Sequence, residues 1–75
     1  MRKNINVKTI MKENGEIVPL AVVWENGKEY EIDRVLSVRP APSKSGGYGL
    51  RYEVCILGQI KFLYLDQFVW FIDTN

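Results

Sequence analysis

The 75-residue chain contains no histidine and a single cysteine, Cys55. Without histidine it lacks the commonest general base and metal ligand. One cysteine makes neither an internal disulfide nor a papain-type nucleophile, since no imidazole is there to activate it. Its alternating position in an apolar run reads instead as a small buried side chain. No apolar stretch approaches the ~18 uninterrupted residues of a membrane-spanning helix, because Lys61, Asp66 and Gln67 break the longest candidate, Ile60 to Ile72. The first residues, Met1-Arg2-Lys3-Asn4-Ile5, lack the continuous apolar segment of a secretory signal. A cytoplasmic protein is expected, without membrane contact, metal, cofactor or enzymatic activity. Strong net charge is also missing: ten basic and nine acidic residues leave +1.

What the chain does have is turn signals. Asn14-Gly15, Asn26-Gly27, Ser45-Gly46-Gly47-Tyr48-Gly49 and Gly58 divide it into short segments rich in Val, Ile, Tyr, Phe and Trp. Asn-Gly between apolar runs is a strong hairpin signal, because both central residues of a type I′ turn need positive φ and these two tolerate it best. Strands are therefore expected from about Ile5 to Ile10, Glu16 to Trp24 and Lys28 onward. Others should run from Leu50 to Leu57, Gln59 to Leu65 and Phe68 to Ile72, with a turn at Asp66-Gln67. Apolar residues on both parities of Glu16–Trp24 imply cover on both faces, and Pro19 there implies an edge or a bulge. Tyr30 and Ile32 alternate with Glu29, Glu31 and Asp33, after which the phase slips to Leu36 and Val38. That slip predicts a bulge or sharp bend near Asp33 to Val35. Pro40 and Pro42 should end the strand, leaving residues 40–49 as the long loop.

A chain of this length has one thin core and room for one domain over residues 1–75. Short strands in meander order, with almost no helix signal, bury both faces only by rolling up. The expected fold is all-β, a small five- or six-stranded SH3-like barrel, with an OB-like barrel as the alternative.

Charge is unevenly distributed. Between Arg34 and Tyr52 lie Arg34, Arg39, Lys44 and Arg51 and no acid, whereas residues 25–33 hold Glu25, Glu29, Glu31 and Asp33 against Lys28 alone. Basic residues interleaved with aromatics are what phosphate contact and base stacking require. A nucleic-acid-binding set of Arg34, Arg39, Lys44, Tyr48, Arg51 and Tyr52 follows. The alternative for these arginines is to cover apolar rims and pair with the acidic strand. A second candidate surface, for a protein partner or a second copy of the chain, comprises Trp24, Tyr30 and Trp70, since a thin barrel cannot bury all its aromatics. The Gly-rich stretch has the freedom of an anion cradle but lacks the Gly-x-x-x-x-Gly-Lys-Ser/Thr order of a phosphate loop. The carboxylates near residue 30 read as a solvated sheet face.

The residues Trp24-Glu25-Asn26-Gly27, Tyr30, Ile32-Asp33-Arg34-Val35, Gly46-Gly47 to Gly49, Arg51-Tyr52, Gly58 and Trp70-Phe71 together resemble a family of short, uncharacterised proteins of Gram-positive bacteria. The likeness spans most of the chain. It implies one compact bacterial cytoplasmic domain and carries no activity or site residue. The acidic, Trp and Pro signature of proline-rich-peptide readers is absent, so none of their site residues is carried over. The expected function is that of a non-enzymatic binding module.

Overall fold

The computed structural model describes residues 1–42 and 48–74, except for the side chain of Tyr48. It is all-β. Seven strands, β1 (Arg2–Met11), β2 (Ile17–Val23), β3 (Glu29–Glu31), β4 (Arg34–Pro42), β5 (Tyr48–Ile56), β6 (Gln59–Asp66) and β7 (Val69–Asp73), form one curled antiparallel sheet in the order β3-β2-β1-β7-β6-β5-β4. The strand beyond the expected five or six arises because the segment from Lys28 onward divides at Ile32–Asp33, where the bend was predicted. There the Ile32 amide donates to the Leu20 carbonyl of β2 and the next amide, Asp33, to the Cys55 carbonyl of β5. Two consecutive residues thus hand the chain from one end of the sheet to the other. β1 makes a similar transfer: Arg2 to Ile5 pair with β7, Asn6 to Met11 with β2. Strands that switch partners at a bend are how a short sheet turns a corner and encloses a core.

Two bulges set which side chains face inward. Lys8 pairs with Ala21 but Thr9 with Pro19, leaving Leu20 as the extra residue of β2. Side-chain parity inverts there, so odd-numbered Ile17 and even-numbered Val22 and Trp24 all pack on the same core. Adjacent Ala21 and Val22 are both buried, as the expected cover on both faces of β2 requires, and the phase change leaves Leu20 as its one exposed residue. In β4, Val35 pairs with Val54 and Ser37 with Glu53, leaving Leu36 extra. The enclosed core is Val22, Tyr52, Val54, Leu63, Leu65 and Trp70.

Several boundaries differ from expectation. Both β4 prolines remain in the strand, Pro40 opposite Leu50 and Pro42 opposite Tyr48. β4 pairs only with β5, and an edge strand tolerates a missing N–H on its free side. The expected loop from 40 therefore starts later, and its remainder, 43–47, lies outside the described residues. The two Asn-Gly sites do make hairpins, but only Gly15 and Gly27 have positive φ. The Gly15 amide donates to the Lys12 carbonyl, the Gly27 amide to Trp24, and each Asn Oδ1 accepts the amide two residues on. These are four-residue turns with glycine as a left-handed bulge, the three-residue hairpin loop rather than type I′. The I′ geometry occurs elsewhere, at Leu57-Gly58 (φ 51° and 73°) and at Gln67-Phe68 (φ 50° and 68°). The last turn thus sits one residue later than Asp66-Gln67.

Phe68 holds left-handed backbone while its side chain is 81% exposed. That conformation costs an L-residue roughly 1–2 kcal/mol, and little packing offsets it. Phe68→Gly is expected to stabilise the protein by about 0.5–1 kcal/mol after the entropy cost of glycine. Thermal unfolding should shift upward by about 3–6 °C; a lower melting temperature would mean that Phe68 makes contacts worth more than its strain.

Candidate nucleic-acid interface and aromatic groove

The outer face of β4, β5 and β6 is built in cross-strand rows. Arg39 lies directly opposite Arg51, which lies opposite Tyr64, which lies opposite Phe71 of β7. The next row is Ser37, Glu53 and Phe62, and the one beyond it Arg34, Cys55 and Ile60. Rows two residues apart on antiparallel strands are about 6.8 Å apart. The Leu36 bulge makes this grouping: residues 34 and 39 have opposite parity and would face opposite ways on a regular strand. A bulge re-aims side chains in this manner.

Contacts run both within and between these rows. The Arg51 guanidinium lies over the Phe62 ring, 5.0 Å from its centroid, and Arg2 covers Phe71 at 3.9 Å. Tyr64 stacks on Phe71 with centroids 5.2 Å apart and planes 11° from parallel. The Ser37 hydroxyl donates to Glu53 Oε1 at 2.9 Å. Phe62 remains 44% exposed. Two of the carboxylates expected to neutralise the arginines are paired elsewhere, Glu25 with Lys3 at 3.0 Å and Glu29 with Lys8 at 2.7 Å. Among the described residues no ion pair involves Arg34, Arg39 or Arg51.

Of the six residues in the expected nucleic-acid set, the fold brings Arg34, Arg39 and Arg51 onto one face. Tyr52 lies on the other side of the sheet, 3% exposed, with its ring 4.9 Å from that of Trp70 and its hydroxyl donating to the Ile17 carbonyl at 2.8 Å. Burial, and secondarily the nearby Glu16, push its pKa above the usual tyrosine value. Lys44 and the Tyr48 side chain lie outside the described residues. Phe62, Tyr64, Glu53 and Ser37 were not in the expected set, because only pairing across the sheet puts them beside the arginines, Ser37 and Glu53 through the β4–β5 register and Phe62 and Tyr64 through the β5–β6 register. Cys55, expected to be buried, is half-buried on this outer face.

The aromatic set divides too. Trp24 and Tyr30 line an open groove of about 730 Å³ with Ile5, Val22, Ile56 and Leu63. Lys3 Nζ and Lys28 Nζ each lie 5.4 Å from a ring centroid, over Trp24 and Tyr30 respectively. Trp70 is in the core, 7% exposed, and does not reach the groove. Among the described residues no group of three or more metal-ligating side chains is clustered, and no helix is long and apolar enough to cross a membrane.

No family model matches this chain, and neither a curated protein nor a solved structure does.

Proposed function

We propose that this protein is a non-enzymatic binding module, built as an SH3-like barrel, that contacts nucleic acid through Arg34, Arg39 and Arg51 on the outer face of β4–β6. A bacterial, cytoplasmic setting belongs to the same proposal. The observation that carries it is the Arg39–Arg51 pair. Two like charges directly opposite on neighbouring strands destabilise a sheet, and among the described residues neither arginine has an ion-pair partner, while the carboxylate of the next row, Glu53, accepts from Ser37. A polyanion would relieve the repulsion, and the adjoining Phe62 supplies an apolar surface for a base. The second reading is a protein partner, or a second copy of the chain, seated on the groove that Trp24 and Tyr30 line; the groove's volume and apolar walls favour it.

Ionic strength separates the two, since phosphate contacts release counterions and an apolar groove does not respond in that way. In an amide NMR titration with short single-stranded and duplex DNA, shifts are expected to cluster at Arg34, Ser37, Arg39, Arg51 and Phe62. Three phosphate contacts give an affinity that falls with the logarithm of salt concentration at a slope of about 2 to 3. An unchanged spectrum at low salt would sink the nucleic-acid reading and leave the groove.

A further inference from the structure

The outer face is not uniformly basic. The Ser37–Glu53–Phe62 row has arginine on both sides, Arg34 with Cys55 in the row beyond it and Arg39 with Arg51 in the row before it. From one arginine row to the other is about 14 Å, four residues along the strand. Positive charge at both ends, set wider than neighbouring phosphates on one strand, with an exposed ring beside a carboxylate between them, suits a short run of extended strand that lays one base on the ring and its phosphates toward the arginines. An acidic residue in the middle would be out of place on a surface that only tracked a duplex backbone. Here it is held in place, because Ser37 donates to one oxygen of Glu53.

We infer that the ligand of this face is single-stranded, and that the central row takes one unpaired base, cytosine in preference to thymine. This rests on the nucleic-acid reading above. The base stacks on Phe62, whose ring Arg51 already backs, and aromatic side chains and guanidinium planes are both stacking partners for unpaired bases. Arg34 at one end and Arg39 and Arg51 at the other take the flanking phosphates. Glu53 supplies the selectivity. A carboxylate accepts from the N4 amino group of cytosine, whereas thymine presents an acceptor, O4, at the same position. A duplex still offers one amino hydrogen of cytosine in its major groove, but both base faces are stacked, so only an unpaired base meets Glu53 and Phe62 together.

The test is fluorescence anisotropy with labelled oligodeoxycytidine, oligothymidine and a mixed-sequence duplex of equal length, at about 50 mM salt where electrostatic binding is strong. The oligodeoxycytidine is expected to bind about five- to tenfold more tightly than the oligothymidine, and the duplex more weakly than either. Phe62→Ala should weaken single-strand binding about tenfold. Phe62→Leu, which keeps the apolar bulk, should lose nearly as much, so that stacking is distinguished from packing. Glu53→Gln should remove the preference for cytosine, since an amide donates to O4 as readily as it accepts. Circular dichroism of each variant checks that the fold persists. Equal binding of duplex and single strands, indifferent to Phe62→Ala, would overturn the single-strand assignment and leave the nucleic-acid reading standing. Binding of single strands with no cytosine preference would overturn the role of Glu53. No binding of any of the three would overturn both this inference and the reading beneath it.

Discussion

Gly49→Ala is expected to cost about 3 kcal/mol or more, a large share of the roughly 4–11 kcal/mol available to a domain of this length. A Cβ at this position would stand 2.4 Å from the Leu65 carbonyl oxygen, 3.1 Å from its carbon and 3.2 Å from Asp66 Cβ. The nearest atoms belong to backbone, so no side chain can swing away. Gly49 pairs with Ala41 on β4, and the next residue, Leu50, pairs with Leu65 on β6. Relieving the clash means parting β5 from β6 at Leu65, which pairs on its other side with Trp70 of β7. Gly58→Ala provides the comparison. Its φ of 73° makes any side chain strained, but nothing lies within 4 Å of its Cβ position, so about 1–2 kcal/mol is expected there. Urea denaturation of the two variants separates the close approach from backbone strain. If Gly49→Ala costs no more than Gly58→Ala, β6 moves aside freely and the sheet is less tightly coiled than its geometry implies.

The features legible in the sequence were those with a local cause. Alternation in β5, Leu50, Tyr52, Val54 against Arg51, Glu53, Cys55, located that strand within a residue or two, but not which face is inward, since Tyr52 was expected at the surface and Cys55 in the core. Glycine located the turns at Gly15, Gly27 and Gly58, and the slip after Arg34 located the bend. Less legible was anything that depends on pairing across the sheet. The turn type at Asn14-Gly15 and Asn26-Gly27 depends on whether the flanking strands close around two or three residues. That is fixed by register and not by the dipeptide. Leu20 and Leu36 look like core residues by composition and become bulges because the partner strand is one residue shorter at those points. Pro40 and Pro42 look like terminators until β4 proves to be an edge.

The candidate site was legible in the same proportion. Charge density alone singled out Arg34, Arg39 and Arg51. Tyr52 shares their stretch of chain but alternates inward, and the choice between neighbours on a strand is a choice of face. Trp24 and Trp70 could not be told apart by residue type. One closes a strand at the groove, and the other sits mid-strand between Leu65 and Ile5. Phe62 and Tyr64 are eleven and thirteen residues from Arg51, and only the β5–β6 hairpin makes them its neighbours.

Arg39→Glu is expected to raise stability and lower affinity at once. Replacing a repulsive cross-strand pair by an attractive one changes the sheet by about 1 kcal/mol, given that such pairs contribute roughly 0.2–1 kcal/mol of either sign. Both groups are at least partly solvated, which keeps the gain toward the lower end. Thermal unfolding should therefore shift upward by about 2–6 °C. On the ligand side the variant removes one phosphate contact and sets a carboxylate beside another. Binding to single-stranded DNA should weaken by about tenfold or more at low ionic strength, and the salt slope should fall by about 1. The two curves should converge as salt rises, because the lost interaction is the screened one. Arg39 is the better choice for this exchange than Arg51, whose guanidinium also covers Phe62. A surface arginine kept only for solubility would show neither effect, and one that stabilised the sheet by covering apolar rim would show a lower melting temperature. A variant that is more stable and binds less well is the signature of a position where charge complementarity to a polyanion outweighs the fold's own preference.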